Sequence, residues 1–365
     1  MSQTGVTAIT DCHVHLASIA EVDHLLEIRQ ATRVGCMNLL CFVDPRAGDG
    51  TSSGLTAKAL HPDLFYVFGG LNHGAGGTAG GSPAVPLEEQ VRELLSAGCD
   101  GIKLLESGPG VRRTLPWPLD GPYYRKFFAT AEELGMPLLW HVAEPEEFWD
   151  AERAPAWAVK RNWVYNEQDV SKEQLYAEVE HVLGRHPGLR VILAHLYFLS
   201  ADVPRLARFL EAHPNAGVDL SPGVEMLFNL SVDARQAREF FLAYGDRIYF
   251  GTDIFSGLTE SQGQVRANMV RRFLETAETF GSPPDGEDIL QMEGRIHGLD
   301  LPTEALEKIY RTNFEALAGR RPRRVDIALT TDCLRRWGEL ASSLSGTPAE
   351  HTEAGRCRRL LEDLR

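Results

Sequence analysis

Histidine and aspartate residues stand at the ends of apolar segments at several places in this 365-residue chain. The first group lies in segment 9–16, which contains Asp11, His13 and His15. Successive side chains of a strand point to opposite faces, so the alternation predicts that His13 and His15 share one face while Cys12 packs on the other. Two neutral imidazoles on one face of a strand end can bind a single divalent metal ion.

Three later apolar segments end in the same way. The residues at their ends are His141, His195 and Asp253. A single His-x-His pair is more simply interpreted as a solvated strand end. A metal site therefore requires a fold that brings these distant residues together.

Strand-like apolar segments alternate with helix-like segments along most of the chain. The predicted strands are residues 6–15, 34–43, 64–68, 101–105, 137–141, 189–195, 216–220 and 247–253. Eight such units predict an α/β fold, a distorted (β/α)8 TIM barrel with a C-terminal helical extension. The carboxyl ends of all strands meet at one rim of such a barrel, so the strand-end histidines and Asp253 could share one ion there.

The barrel is predicted to occupy residues 1–320, with a helical extension over 321–365. Segment 143–170, rich in Trp, Glu and Arg, is expected to be a partly helical insert over the site, because long inserts on this face often cover active sites. Residues beyond about Ser282 are predicted to be mostly helical. The extension could pack on the barrel or on a partner chain in a homodimer.

The composition excludes several classes of function. A hydrophobic fraction of 43% and a charged fraction of 24% are typical of a soluble globular protein. The net charge of −14 argues against nucleic acid as a partner. No membrane span or signal peptide is evident, and the six cysteines form no disulfide-like pattern, so we expect a cytoplasmic protein that acts on a small molecule.

The ordered motifs resemble those of the metal-dependent amidohydrolase superfamily over most of residues 6–320. They are Asp11-Cys12-His13-Val14-His15, Gly101-Ile102-Lys103, Leu139-Trp140-His141, Leu193-Ala194-His195, Gly251-Thr252-Asp253 and Thr312-Asn313-Phe314. The resemblance is greatest to the amidohydrolase-related (amidohydrolase 2) branch, which includes aminocarboxymuconate-semialdehyde decarboxylase and pyrone-dicarboxylate lactonase.

This resemblance implies a site for one divalent metal ion, zinc being the first choice. The implied ligands are His13, His15, His141 and Asp253. His195 would stand beside a water activated by the metal, and Asp253 could also shuttle protons. The implied activity is hydrolysis of an amide, ester or lactone. Two alternatives stay open: a non-oxidative decarboxylase of an unsaturated or aromatic acid, and a non-catalytic barrel with a structural metal.

Lys103 leaves the number of metal ions open, because some superfamily members carry a carbamylated lysine on the fourth strand that bridges two metals. Alternatively, Lys103 pairs with Glu106 or with a substrate carboxylate. Arg46, Asn72 and Arg113 follow predicted strand ends and are candidate substrate-binding residues, although each alone could be a solvated loop residue.

Overall fold

Parallel strands form one sheet around the centre of the molecule. The computed structural model of the protein describes residues 9–44, 48–74, 83, 85–222, 225–284, 286–287, 290–291 and 293–364. The strands are β1 Ile9–His15, β2 Val34–Leu40, β3 Phe65–Gly69, β4 Gly101–Ser107, β5 Leu138–Val142, β6 Val191–Leu193, β7 Ala216–Asp219, β8 Ile248–Tyr249 and β9 Ile254–Phe255. Their order in the sheet is β8-β7-β6-β5-β4-β3-β2-β1-β9.

Segment 248–255 closes this sheet into a barrel. On one side β8 pairs with β7, and on the other side β9 pairs with the end of β1. Between them, the Cys12 N–H donates to the Phe250 carbonyl at 2.9 Å. Because β8 and β9 belong to one continuous segment, the two edges of the sheet meet, and the predicted TIM barrel is confirmed.

A helix follows each of the first eight strands. These helices are α1 Val22–Thr32, α2 Gly50–Leu60, α3 Leu87–Ala97, α4 Arg125–Glu133, α5 Lys172–Arg185, α6 Val203–Ala212, α7 Ala234–Ala243 and α8 Glu260–Glu275. Ser171 caps α5 by accepting from the Gln174 N–H at 3.2 Å, as its sequence predicts. No helix in the described ranges is long and apolar enough to cross a membrane.

Cys12 lies in the interior of the barrel, and its predicted orientation was therefore wrong. This side chain is fully buried in a cluster with residues from five other strands or strand ends. Its members are Cys12, Leu40, Tyr66, Phe68, Leu139, Ile192, Ala194, Tyr249, Phe314 and Leu317. Residues from so many strands can meet only inside the ring. The alternation fails because the β1–β2 register shifts between Asp11 and Val14, a bulge that turns Cys12 inward below the histidines.

The predicted boundaries of two strands that lead to the site also differ from the structure. Strand β6 stops at Leu193, so His195 lies in the following turn, and the predicted eighth strand is interrupted between Tyr249 and Ile254. Beyond Ser282 the described chain is mostly helical from Thr303 on, as predicted, and a short antiparallel pair of strands, Thr279–Phe280 with Ile296–His297, precedes these helices.

The C-terminal extension packs on the barrel through two helices, α9 Ile327–Ser345 and α10 Glu353–Glu362. The Glu353 carboxylate accepts from the Ile19 N–H at 2.6 Å and from the Ser53 hydroxyl at 2.6 Å. Arg336 on α9 forms an ion pair with Glu93 on α3. The extension thus lies against the part of the rim that follows β1 and β2.

Candidate metal centre

Three of the four predicted metal ligands lie together at the mouth of the barrel. The Nε2 atoms of His13 and His15 are 3.4 and 3.3 Å from Oδ1 of Asp253. Within the described part of the chain, these three residues form a group whose ligand atoms all lie within 4.8 Å of one another. Strands β1 and β9 are neighbours, so barrel closure itself produces this contact.

The other ring nitrogens are held by fixed acceptors. His13 Nδ1 lies 2.8 Å from Asp219 Oδ2, and His15 Nδ1 lies 3.0 Å from the Leu40 carbonyl oxygen. A proton on each Nδ1 satisfies these acceptors and leaves the Nε2 lone pair directed at the group around Asp253. Burial lowers the pKa of His13 to about 4, so its imidazole is neutral at pH 7 and available as a ligand.

The Asp253 carboxylate is ionised in this environment. Burial alone would raise its pKa, but the contacts with His15 and His13 and the charge of Arg266 lower the pKa well below its usual value. Arg266 donates to the Asp253 backbone carbonyl at 2.7 Å. Asp253 has a left-handed backbone with φ of 54°, which this contact helps to hold. The donor set of two imidazoles and one carboxylate is suited to Zn²⁺ and similar divalent ions.

Asp219 is a site residue that the sequence argument missed. Besides its bond to His13, it accepts from the His195 N–H at 2.8 Å and from the Ser221 N–H at 3.1 Å. Burial would raise its pKa, but the close contact and hydrogen bond with His13 hold the pKa well below its usual value. The sequence did contain a signal for this residue. Asp219 ends the motif Gly217-Val218-Asp219, which matches Gly251-Thr252-Asp253 in spacing.

His195 lies at the centre of the histidine cluster. Its ring centroid is 5.1 Å from that of His13 and 5.0 Å from that of His141. The Nδ1 atom lies 3.2 Å from the Ser221 carbonyl oxygen, which leaves Nε2 as the nitrogen that can accept a proton. Burial and the proximity of His141 and His13 lower the pKa of His195 to about 3, so the ring is neutral.

His141 is the predicted ligand that the structure leaves outside the three-residue group. Its Nε2 atom lies 3.2 Å from Oε1 of Glu144, which follows strand β5 two residues after the strand ends. The ring of His141 contacts that of His195, with the centroids 5.0 Å apart. Its role as a ligand stays a prediction.

A turn of unusual backbone positions His195. Residues 195–198 all have left-handed backbones, with φ between 49° and 59°, although none is glycine. Such residues are disfavoured and persist only where surrounding contacts hold them. Here the His195 N–H is held by Asp219 and the Tyr197 N–H donates to the Ala194 carbonyl at 2.9 Å.

The predicted substrate-binding residues have diverse surroundings. Lys103 is 2% exposed, and its Nζ has no hydrogen-bond partner among the described residues. Burial lowers its pKa to about 8. Asn72 lies elsewhere, in a smaller cavity beside Asp49 and Trp337. Arg46 lies outside the described residues.

Arg113 lines the cavity and contacts the insert. Its guanidinium forms a bidentate ion pair with Asp169, at 2.7 and 2.9 Å. It also donates to the backbone carbonyls of Asn162 and Val164, each at 3.0 Å. All of these partners belong to segment 143–170, so Arg113 fastens this segment to the barrel.

A cavity of about 560 Å³ leads from solvent to the histidines. Its inner end is formed by His141, His195 and Asp253. The insert forms much of its wall, through Glu144, Pro145, Phe148, Trp157, Arg161, Asn162, Trp163 and Tyr165. A cavity of this size accommodates a small organic molecule.

A closed parallel barrel with imidazoles and carboxylates at its carboxyl rim defines a class of barrel enzymes whose sites lie at that rim. Comparison with protein families agrees with this class. The family model described as amidohydrolase matches residues 71–319, well over half of the chain. The chain therefore belongs to the amidohydrolase family, as the motifs predicted. This is a family of enzymes, so the hypothesis of a non-catalytic barrel is not retained.

Solved structures share the fold at low sequence identity. The 5-carboxyvanillate decarboxylase of Sphingomonas paucimobilis is 12% identical, with 85% of this chain and 98% of that chain covered and a TM-score of 0.53. A 2,6-dihydroxybenzoate decarboxylase is 15% identical, with 85% and 99% covered and a TM-score of 0.51. A TIM-barrel protein from Bordetella bronchiseptica is 16% identical, with 86% and 99% covered and a TM-score of 0.51. A comparison with curated proteins found no significant match.

Proposed function

We propose that this enzyme hydrolyses an ester, lactone or amide bond of a small organic substrate at the group formed by His13, His15 and Asp253. The observation that carries the proposal is the position of this group. Two imidazole Nε2 atoms and one ionised carboxylate converge at the rim where a 560 Å³ cavity ends. Their Nδ1 partners hold the imidazoles in the neutral tautomer that binds metal.

His13, His15 and Asp253 would hold one divalent ion, zinc being the best match to the donors, and His141 would complete the site by swinging away from Glu144. When bound, such an ion lowers the pKa of water towards neutrality and polarises a carbonyl group. The remaining chemistry falls to the side chains of the chain itself. Neutral His195 accepts a proton at Nε2 and returns it to the leaving group, while Asp219 and Asp253 stabilise the resulting imidazolium.

Decarboxylation of an aromatic or unsaturated acid is the second candidate. The aromatic lining of the outer cavity favours it, because Phe148, Trp157 and Trp163 offer flat apolar surfaces to a conjugated substrate. Two of the similar solved structures carry the names of decarboxylases. In that reaction His195 would take a proton from solvent at Nε2 and deliver it to the carbon that loses carbon dioxide.

Metal content and turnover test the proposal together. We expect about one divalent ion per chain in protein purified without added metal, and its loss in a His13→Ala, His15→Ala double variant. His351→Ala, an exposed change in the extension, is the matched control. Full activity in chelator-treated protein would refute a metal-dependent reaction.

A substrate screen then separates the two reactions. Esters, lactones, amides and aromatic acids are incubated with the enzyme, and acid formation and released carbon dioxide are both measured. Hydrolysis predicts one new acid per bond broken and no carbon dioxide, whereas decarboxylation predicts carbon dioxide without net uptake of water. His195→Asn is expected to lower kcat about 100-fold or more on the true substrate.

A further inference from the structure

The insert carries a cation that faces the cavity without a carboxylate partner. The guanidinium of Arg161 lies 5.2 Å from the ring centroid of Trp157 and 5.3 Å from that of Trp163. The two indoles are almost perpendicular, with an interplanar angle of 86°, so they form a notch around the guanidinium. All three residues line the same cavity as His195 and Asp253.

The backbone around Arg161 is also fixed. Helix Ala156–Lys160 ends at this residue, whose N–H donates to carbonyls of the last turn. The next residue, Asn162, has a left-handed backbone, and the Trp163 N–H returns to the Ala158 carbonyl at 2.9 Å. This tight turn presents the side chain of Arg161 between the two rings instead of leaving it free in solvent.

Arg161 differs in this respect from Arg113, the other arginine of the cavity lining. Arg113 is fully engaged by Asp169 and by backbone carbonyls, whereas no carboxylate lies within ion-pair distance of Arg161 in the described part of the chain. Stacking on aromatic rings orients a guanidinium but leaves its N–H groups free. Those groups favour a planar anion that can accept two parallel hydrogen bonds.

The charges of the cavity are arranged along its length. Arg161 is exposed at the solvent end, while the inner end carries the carboxylates of Asp253 and Glu144. An elongated substrate with one carboxylate is therefore best placed with that carboxylate outward. Phe148 and the two indoles provide flat apolar walls between the two ends.

We propose that Arg161, held between Trp157 and Trp163, binds a carboxylate at the end of the substrate remote from the bond that reacts. The substrate class is then a planar aromatic or conjugated molecule with an outer carboxylate. The proposal rests on the proposed function only in taking this cavity as the substrate site. Arg161 determines specificity and takes no part in the chemical step.

Binding to full-length protein stripped of metal by a chelator tests this assignment. The probes are biphenyl-4-carboxylate and the neutral biphenyl-4-carboxamide, titrated by calorimetry with folding checked by circular dichroism. Without metal, the carboxylates at the inner end of the cavity repel anions. Tighter binding of the acid than of the amide therefore reports on the outer end, where Arg161 lies. We expect the acid to bind about tenfold more tightly than the amide in the native protein.

The variants make the test specific. Arg161→Gln is expected to bring the acid-to-amide ratio close to one, and Arg161→Lys to retain part of the preference because it keeps the charge but not the planar donors. Arg153→Gln, an exposed arginine of the same insert, should keep the native ratio. A merely structural role would weaken both probes equally.

Absence of an acid preference in the native protein, including absence of binding by either probe, would overturn the proposal, as would a preference that survives in Arg161→Gln. Because the measurement needs neither metal nor turnover, its result is independent of whether the enzyme proves to be a hydrolase. A preference lost only in the Arg161 variants supports the carboxylate site even if no hydrolysis is found.

Discussion

Single hydrogen bonds to the candidate metal-binding histidines determine how the side chains of this site are oriented. Asp219 orients His13 through Nδ1 and at the same time holds the backbone of His195. One carboxylate thereby sets the positions of a proposed metal ligand and of the proposed proton acceptor. Residues of this kind are invisible to a motif search that looks only for atoms able to touch a metal.

Asp219→Asn should weaken metal binding while leaving the ligands in place. The amide keeps the shape of the side chain but loses the charge that stabilises the Nδ1 proton of His13, so we expect affinity for zinc to fall about 10-fold to 100-fold. Competition with a chromophoric chelator measures this directly. Asp332→Asn, an exposed change on α9, should have the affinity of the native protein; equal affinities in both variants would show that Asp219 does not support the site.

Lys103 predicts a pH-dependent change in stability. Burial lowers the pKa of Lys103 in the folded protein to about 8, below its usual value of 10.5. Between pH 8 and 10.5 the unfolded chain binds more protons at Lys103 than the folded chain does. The contribution of Lys103 to the free energy of unfolding therefore rises with pH. Lys103→Met removes a buried cation without a partner and should stabilise the protein at pH 7 by about 1–3 kcal/mol. The advantage should shrink between pH 8 and 10.5.

Urea unfolding at several pH values measures this effect, with the exposed change Lys160→Met as the reference. A less stable Lys103→Met protein that has also lost metal would instead support the hypothesis of a carbamylated Lys103 and a second ion. Stability and metal content therefore need to be measured on the same preparations.

At the scale of elements, the insert depends on one arginine from the loop after β4. Arg113→Gln removes the bidentate pair with Asp169 and two bonds to backbone carbonyls. We expect the insert to open more often, so that trypsin cleaves at Lys160 or Arg161 roughly tenfold faster with little change in Tm. Arg205→Gln breaks a similar pair with Glu173 outside the insert and should leave this rate unchanged.

The alternation of apolar and polar residues predicted most of the elements and the strand ends that carry His13, His15 and Asp253. It could not predict the bulge that turns Cys12 inward, because bulges depend on pairing with β2 and not on local pattern. It also could not predict the left-handed turn after β6, since Leu196 and Tyr197 have no intrinsic preference for that backbone. Tertiary contacts impose both features.

On the scale of the whole molecule, the rim is divided between two additions to the barrel. The C-terminal extension lies against the loops that follow β1 and β2, and the insert lies after β5. These positions are on opposite sides of an eight-stranded ring. The cavity therefore opens beside the insert, where the aromatic residues and Arg161 are found.

Glu353 is the main polar attachment of the extension. Burial would raise its pKa, but donors from Ser53, Ile19 and Arg356 lower it. A lowered carboxylate pKa contributes stability above the unfolded value of 4.5, and this contribution is lost on acidification through the folded value. Glu353→Gln should thus lower the free energy of unfolding by about 1–3 kcal/mol at pH 7. The deficit should fade below pH 4.5.

Thermal or urea unfolding of Glu353→Gln and of the exposed neighbour Glu350→Gln checks this expectation. Equal stabilities at pH 7 would show that the extension is held by its apolar contacts alone. A deficit that persists at low pH would show that the amide disturbs packing instead of removing charge.

Segment 248–255, which closes the barrel, also limits the insertions and deletions that the sequence can tolerate. Between Phe250 and Ile254 the chain leaves one neighbour, joins another and presents Asp253 to the histidines. Insertion or deletion of one codon here would turn the following side chains to the opposite face and shift the pairing with β1. Length variation among descendants of this sequence should therefore accumulate in the insert and the extension. The number of residues between Phe250 and Ile254 should stay constant.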